Sequence, residues 1–214
     1  MSDIIFLGNP GSGKTTLISN LSGHGFNCTG KSFSQNNFNF EFKQDKTRPW
    51  LRWADSVSLT DDRRVEQIFV AICNALNQAS RRGSTVKLIF VVTLQGYPVP
   101  SVDLYYISDV LNLIAKHKLC NVVYSVIFNK ISEELVRNDD FKKYLRGQNS
   151  NWKMIANTRG NNGFDVLSKK NIQHILYVPE YDELCGKKNA KLSNKQEWKD
   201  LEHYVLNLAP SIKM

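Results

Sequence analysis

Residues 4–17 read Ile-Ile-Phe-Leu-Gly-Asn-Pro-Gly-Ser-Gly-Lys-Thr-Thr-Leu, and this stretch decides the fold. Four consecutive apolar residues, Ile4, Ile5, Phe6 and Leu7, are what a strand buried on both faces requires. Glycine follows at once, and residues 15–21 then read as a helix. The turn Gly8-Asn9-Pro10-Gly11-Ser12-Gly13-Lys14-Thr15 fits G-x-x-x-x-G-K-[ST]. Each residue type there has a physical task. Glycines admit backbone conformations closed to other residues and let amides approach an anion closely. Turned amides and a helix N-terminus form a positive cradle. Lys14 then reaches β- and γ-phosphates, and the Thr15 hydroxyl faces Mg²⁺. The expected phosphate-binding residues are Asn9, Pro10, Gly11, Ser12, Gly13, Lys14, Thr15 and Thr16. The alternative, a plain Gly-rich turn with an exposed lysine, does not account for the flanking strand and helix.

Outward from that stretch, residues 22–37 are rich in Gly, Ser, Asn and Thr and predict a loop. Phe38, Phe40 and Phe42 alternate with Asn39, Glu41 and Lys43, the period of a half-exposed strand. Residues 48–54 predict another strand with Asp55 at its end. Thr60 or Asp61 can cap a following helix, whose apolar positions Val65, Ile68, Phe69, Ile72 and Leu76 keep helical spacing. Strands are expected at 86–94, 122–128 and 175–178, and helices at 101–118, 132–145 and 197–208. Residues 146–163 are polar and loop-rich. Strands alternating with helices imply an α/β fold of three layers, a mostly parallel sheet with one antiparallel strand and helices on both faces. No repeat or linker divides residues 1–214, so one domain is expected.

The 214 residues are 42% hydrophobic and 22% charged, ordinary globular usage. The apolar runs near 88–94 and 122–128 fall far short of the ~20 residues that span a bilayer. The N-terminus lacks the pattern of a secretory signal, so the expected compartment is the cytoplasm. Cys28, Cys73, Cys120 and Cys185 are dispersed, which predicts isolated thiols and not a disulfide framework. The net charge of +8 comes mainly from scattered basic doublets such as Arg63-Arg64 and Lys187-Lys188. Scattered doublets suit a solvated surface, and no basic-aromatic motif organises them for nucleic acid or anionic lipid.

In the order of its segments the chain resembles GTPases of the translation-factor-related class. More narrowly, it resembles the immunity-associated, septin-like G-domain proteins. The likeness spans most of the chain and is strongest over residues 8–17. It implies GTP and GDP as ligands, Mg²⁺ as cofactor, a molecular switch with slow hydrolysis, a protein effector, and a homodimer across the nucleotide face. The family's third motif is Asp-Thr-Pro-Gly-Leu, and Asp55-Ser56-Val57-Ser58-Leu59 stands in its place. Asp55 matches the acid that holds Mg²⁺, alongside Thr15. Ser58 replaces a glycine whose amide meets the γ-phosphate, and its Cβ narrows the φ range. A turn acid is the plain alternative for Asp55.

The fourth motif, Asn-Lys-x-Asp, is met by Asn129-Lys130-Ile131-Ser132. The resemblance has Asn129 brace the phosphate loop and Lys130 lie over the base. Ser132 replaces the aspartate that accepts two hydrogen bonds from guanine, and helix capping is its simpler role. Thr29 and Thr47 are the only candidates for a switch threonine, although spacing puts Phe38 near the expected place. No catalytic glutamine follows Asp55, and Gln67 reads as a helix surface residue. Pro179-Glu180-Tyr181-Asp182 stands where a base-contacting loop is expected.

Three other readings stay open. The departures at Ser58 and Ser132 suit a non-catalytic pseudo-GTPase interaction module. The motif at 10–15 also suits a P-loop kinase or ATPase using ATP, with Arg137, Arg146 and Arg159 as loose lid candidates. Nucleic-acid binding rests on net charge alone.

Overall fold

The computed structural model of the protein describes residues 1–22, 33–34, 39–56, 62–93, 107, 109–110, 112–114, 124–140, 172–179 and 195–207. Eight strands are described: β1 (Ser2–Leu7), β2 (Phe33–Ser34), β3 (Asn39–Phe40), β4 (Lys43–Gln44), β5 (Leu51–Asp55), β6 (Thr85–Thr93), β7 (Tyr124–Ile131) and β8 (Ile172–Pro179). The described helices include α1 (Lys14–Ser22), α2 (Asp62–Arg81), α3 (Glu133–Arg137) and α4 (Gln196–Asn207). The main sheet has the order β4-β5-β1-β6-β7-β8. Every pairing in it is parallel except β4 with β5. The fold is therefore the expected three-layer α/β arrangement with one antiparallel strand.

The layers follow from strand alternation, which sends successive side chains to opposite faces. Ile5 and Leu7 join Ala54, Leu88, Phe90 and Phe128 under Ile68, Ile72 and Leu76 of α2. Helical residues Ile107, Val110 and Ile114 lie in the same cluster. Ile4 and Phe6 face the other way, with Trp53, Ile89, Val91 and Ile127. Leu17, Ile18 and Leu21 of α1 and Trp198, Leu201 and Val205 of α4 cover that side. β1 lies between β5 and β6, so both its faces and both its edges are enclosed. An unbroken apolar run suits that position and no edge position.

Some expected elements take a different form. β2 falls within the expected 22–37 loop and pairs antiparallel with β3 in a separate two-stranded sheet. The strand read over 38–43 is divided between that sheet and the β4–β5 hairpin. Its alternation still reports packing, since Phe40 and Phe42 both reach the core and meet edge-on at 6.3 Å. Residues 48–50 form a turn and not a strand start, because Asp45 gathers them. Its Oδ1 accepts from the Thr47 and Arg48 amides at 3.0 and 2.9 Å. The helix read over 132–145 is interrupted at Asn138, whose backbone is extended (φ −83, ψ 111). The helix-capping residues Thr60 and Asp61 lie outside the described residues.

Candidate functional site

The site lies at the carboxyl ends of the central strands, the place where open α/β sheets bind ligands. β1 ends at Leu7 and the chain turns through Gly8–Gly13 into α1. Gly8 and Gly13 are demanded by space, and Gly11 by its dihedral angle alone (φ +75). A Cβ on Gly8 would stand 2.3 Å from the Val91 carbonyl oxygen of β6. A Cβ on Gly13 (φ +88) would stand 2.3 Å from Asn129 Nδ2. The Ser12 amide donates to the Asn9 carbonyl at 3.2 Å, and the Leu17 amide donates to Gly13 at 3.0 Å to start α1. At a helix start the first amides have no partner within the helix, and such an end favours an anion.

Lys14 is buried, yet its ammonium stays within the loop. It donates to the Gly8 carbonyl at 2.7 Å and the Asn9 carbonyl at 2.9 Å. Pro10 and Gly11 are exposed at the tip, Ser12 is buried, and Thr16 is half-buried on the first turn of α1.

Strand register brings the second component in. Asp55, the last residue of β5, pairs with Phe6, which sets its carboxylate beside the start of α1. Thr15 Oγ1 donates to Asp55 Oδ2 at 2.5 Å. Asp55 Oδ1 is buried and accepts from no donor. Burial pushes the Asp55 carboxyl up, and the Thr15 hydroxyl and the Lys14 charge offset only part of that. The neighbouring Ser56 hydroxyl is also buried without a partner. The sequence reading did not single out Ser56, because a serine after a strand is an ordinary turn residue.

β7 supplies the third component. It runs past Phe128 through Asn129 and Lys130, with a register irregularity against β8 between Asn129 and Ile131. Lys130 takes φ +59 there. Asn129 Nδ2 donates to the Ser12 carbonyl at 2.8 Å, and Lys130 Nζ donates to the Gly11 carbonyl at 2.9 Å. Two adjacent residues of β7 thus hold two adjacent carbonyls of the loop. Ser132 caps α3, its Oγ accepting from the Leu135 amide at 3.3 Å.

Other candidates lie elsewhere. Thr47 is in the β4–β5 turn, donating to Asp45 Oδ1 at 3.1 Å. That turn precedes β5 and so lies at the amino edge of the sheet, opposite Asp55. Gln67 is half-buried on α2. Arg137 is exposed and pairs with Glu133 at 3.2 Å. Thr29, Phe38, Ser58, Arg146, Arg159 and residues 180–182 lie outside the described residues. Cys73 is a free, half-buried thiol packed against the core. Among the described residues no helix is long and apolar enough to cross a membrane.

The sheet order and the loop together give the P-loop NTPase fold. The chain is similar to the solved structure of Toc33 from Arabidopsis thaliana in complex with GDP and Mg²⁺. The TM-score is 0.54 at 16% identity, over 99% of this chain and 87% of that one. It is also similar to the MinD cell division protein of Aquifex aeolicus, with a TM-score of 0.43 at 14% identity, over 100% and 99% of the two chains. No protein-family model and no curated protein matches the sequence. The likeness to Toc33 shows a common fold.

Proposed function

We propose that this chain binds a nucleoside triphosphate and its diphosphate together with Mg²⁺, GTP and GDP among them, as one P-loop domain over residues 1–214. Binding, and not rapid turnover, is its main chemistry. The observation that carries this is the unsatisfied Oδ1 of Asp55, buried beside the Thr15 hydroxyl at the mouth of the loop. A buried carboxylate oxygen without a donor is costly, and a cation at that place would relieve the cost. Thr15 donates its proton to Asp55, so its oxygen keeps lone pairs free to face a metal.

The donor set of hydroxyl, carboxylate, phosphate oxygens and water is what Mg²⁺ takes. When bound, Mg²⁺ supplies positive charge against the β- and γ-phosphate oxygens. The chain's own residues do the rest. The loop amides and the start of α1 receive phosphate oxygens. Lys14 swings from the Gly8 and Asn9 carbonyls, or shares its protons with them, to neutralise the terminal phosphate. Asn129 and Lys130 keep the Gly11 and Ser12 carbonyls turned away from the anion.

The test is calorimetric titration with a non-hydrolysable GTP analogue, with and without Mg²⁺. Mg²⁺-dependent binding is expected in the parent chain. Lys14→Ala should weaken it by about a hundredfold or more, roughly 3 kcal/mol. Undiminished affinity in that variant would overturn the proposal.

A second reading, a nucleotide-stabilised interaction module without turnover, draws support from Thr47. One of two candidate switch threonines is tied into a turn at the far edge of the sheet. Single-turnover release of phosphate well above the uncatalysed rate would exclude it. A homodimer across the nucleotide face, a protein effector and a cytoplasmic address belong to the same proposal, and sedimentation with and without nucleotide tests the first of these.

A further inference from the structure

A tryptophan ring left in water forgoes the free energy that burying it would release. Trp50 is the most exposed large apolar side chain among the described residues, at 57%. The turn that carries it is nonetheless held firmly. The Leu51 amide donates to the Arg48 carbonyl at 2.9 Å, closing a four-residue turn with Pro49 at its second position, where proline presets φ. Asp45 Oδ1 accepts from the Thr47 and Arg48 amides on the approach to that turn. Gln44 Nε2 donates to the Pro49 and Leu51 carbonyls, and the Ser2 amide donates to the Trp50 carbonyl at 2.7 Å. The backbone under the ring is thus fixed in advance, and a group presented in this way loses little freedom when a partner covers it.

Strand register brings cations to the same place. Ser2 pairs with Leu51 on one side and with Thr85 on the other, so Leu51 and Thr85 stand about 10 Å apart across the start of β1. The Arg48–Leu51 turn and the Arg81–Gly83 end of α2 therefore flank one another. Lys46, Arg81 and Arg82 are exposed there. Lys46 and Arg81 make no ion pair among the described residues. Arg82 has Asp3 at 3.6 Å, but Asp3 is buried and already bidentate with Arg52. The other acids at this end are Asp45, buried, and Glu202 of α4, which faces Arg48 at 3.7 Å. The surface thus offers one aromatic ring among cations that lack full counter-charges, and its complement is an apolar side chain with carboxylates around it. Tryptophan and arginine are the residues that anchor protein interfaces, and the guanidinium fork matches a carboxylate at two points. An anionic bilayer is held by clusters of about 4–8 basic residues and duplex DNA through about 6–10 phosphate contacts. Lys46, Arg81 and Arg82 fall short of both.

We propose that the Arg48–Leu51 turn is a docking surface for an acidic protein segment, which seats an apolar side chain against Trp50 and sets its carboxylates on Lys46, Arg81 and Arg82. The surface lies at the end of the sheet opposite the Gly8–Thr15 loop. It stands independently of the nucleotide-binding reading and can be occupied while the loop is full.

The experiment is selection of a displayed library of random peptides on the full chain, with excess GTP and Mg²⁺ present. Selected peptides are expected to be rich in Asp and Glu around an apolar residue. Trp50→Ala is expected to weaken them by about thirtyfold, as loss of a central anchor does. The double variant Lys46→Glu, Arg81→Glu is expected to weaken them by about tenfold, and by less as salt is raised. All three side chains are exposed, so the fold should survive, and unchanged thermal melts verify this. The double variant keeps the test decisive if Trp50→Ala melts early. Failure to enrich any peptide, enrichment of peptides without excess acid, or affinities unmoved in the folded variants would each overturn the proposal. Trp50-dependent sedimentation with phosphatidylserine vesicles, or Trp50-dependent binding of a single-stranded oligonucleotide, in place of peptide binding would also overturn it and assign the turn to a bilayer or to nucleic acid.

Discussion

Two ends of one sheet hold buried aspartates in opposite conditions. At the amino end, Asp45 Oδ1 accepts from the Thr47 and Arg48 amides and the Thr47 hydroxyl. Its Oδ2 accepts from Arg48 Nε and a terminal Arg48 nitrogen and from Trp53 Nε1 at 2.8 Å. Burial raises the Asp45 carboxyl, but Arg48, the Thr47 amide and Trp53 outweigh it and hold it below the ordinary carboxylate range. Asp3 at the same end is bidentate with Arg52 and has Arg82 at 3.6 Å. At the carboxyl end Asp55 has one donor, Thr15, and an oxygen with none. A saturated buried charge fastens structure. An unsaturated one lowers stability and is retained where a ligand completes it.

The largest effect expected from this contrast is at Asp45. Asp45→Ala should destabilise the chain by about 3–5 kcal/mol, because Arg48, which also reaches the Leu21 carbonyl at the end of α1, would lose its nearer counter-charge and keep only the half-exposed Glu202 at 3.7 Å. Urea unfolding checks this, and a loss below about 1 kcal/mol would mean the knot is ornamental. Gly13→Ala comes next, at about 2 kcal/mol or more from positive φ and the contact with Asn129. Adding Asn129→Ala to it should recover part of that loss and leave the dihedral strain.

Asp55→Asn should go the other way. Removing a buried charge that Thr15 and Lys14 compensate only in part should stabilise the ligand-free chain by about 1 kcal/mol and abolish the Mg²⁺ dependence of nucleotide binding. A destabilised Asp55→Asn would place Asp55 in the class of Asp45 and dissolve the comparison.

A last, pH-dependent effect concerns Lys87, buried on β6 and donating to the Val205 carbonyl near the end of α4 at 3.2 Å. Burial pushes its ammonium down to about 8 from the ordinary 10.5. Between those values the unfolded chain binds more protons than the folded one, so stability should rise with pH. The slope contributed by one such group reaches at most about 1.4 kcal/mol per pH unit. Lys87→Met should flatten the difference in urea midpoints between pH 7.5 and 9.5. An identical rise in that variant would assign the effect to other groups.

The carboxyl end was largely legible in the sequence and the amino end was not. Gly8–Thr15 is local, and its spacing carries its chemistry, since one turn must both bend tightly and point amides inward. Asn129-Lys130 was legible as a motif after a buried strand. Its grip on Gly11 and Ser12 needed the register of β6 with β7, in which Thr93 pairs with Asn129. The Asp45 knot left no trace, because an Asp-Lys-Thr-Arg stretch reads as an ordinary polar turn until Trp53, eight residues on, folds back over it.

The apolar runs, the helical spacing of α2 and the glycine turn determined by themselves an α/β sheet with a tight glycine loop between β1 and α1, because burial and backbone freedom act over a few residues. Tertiary structure alone decided which polar groups met partners. It saturated Asp45 and left Asp55 short of a donor, because hydrogen bonds between distant strands depend on register and no single segment fixes that register.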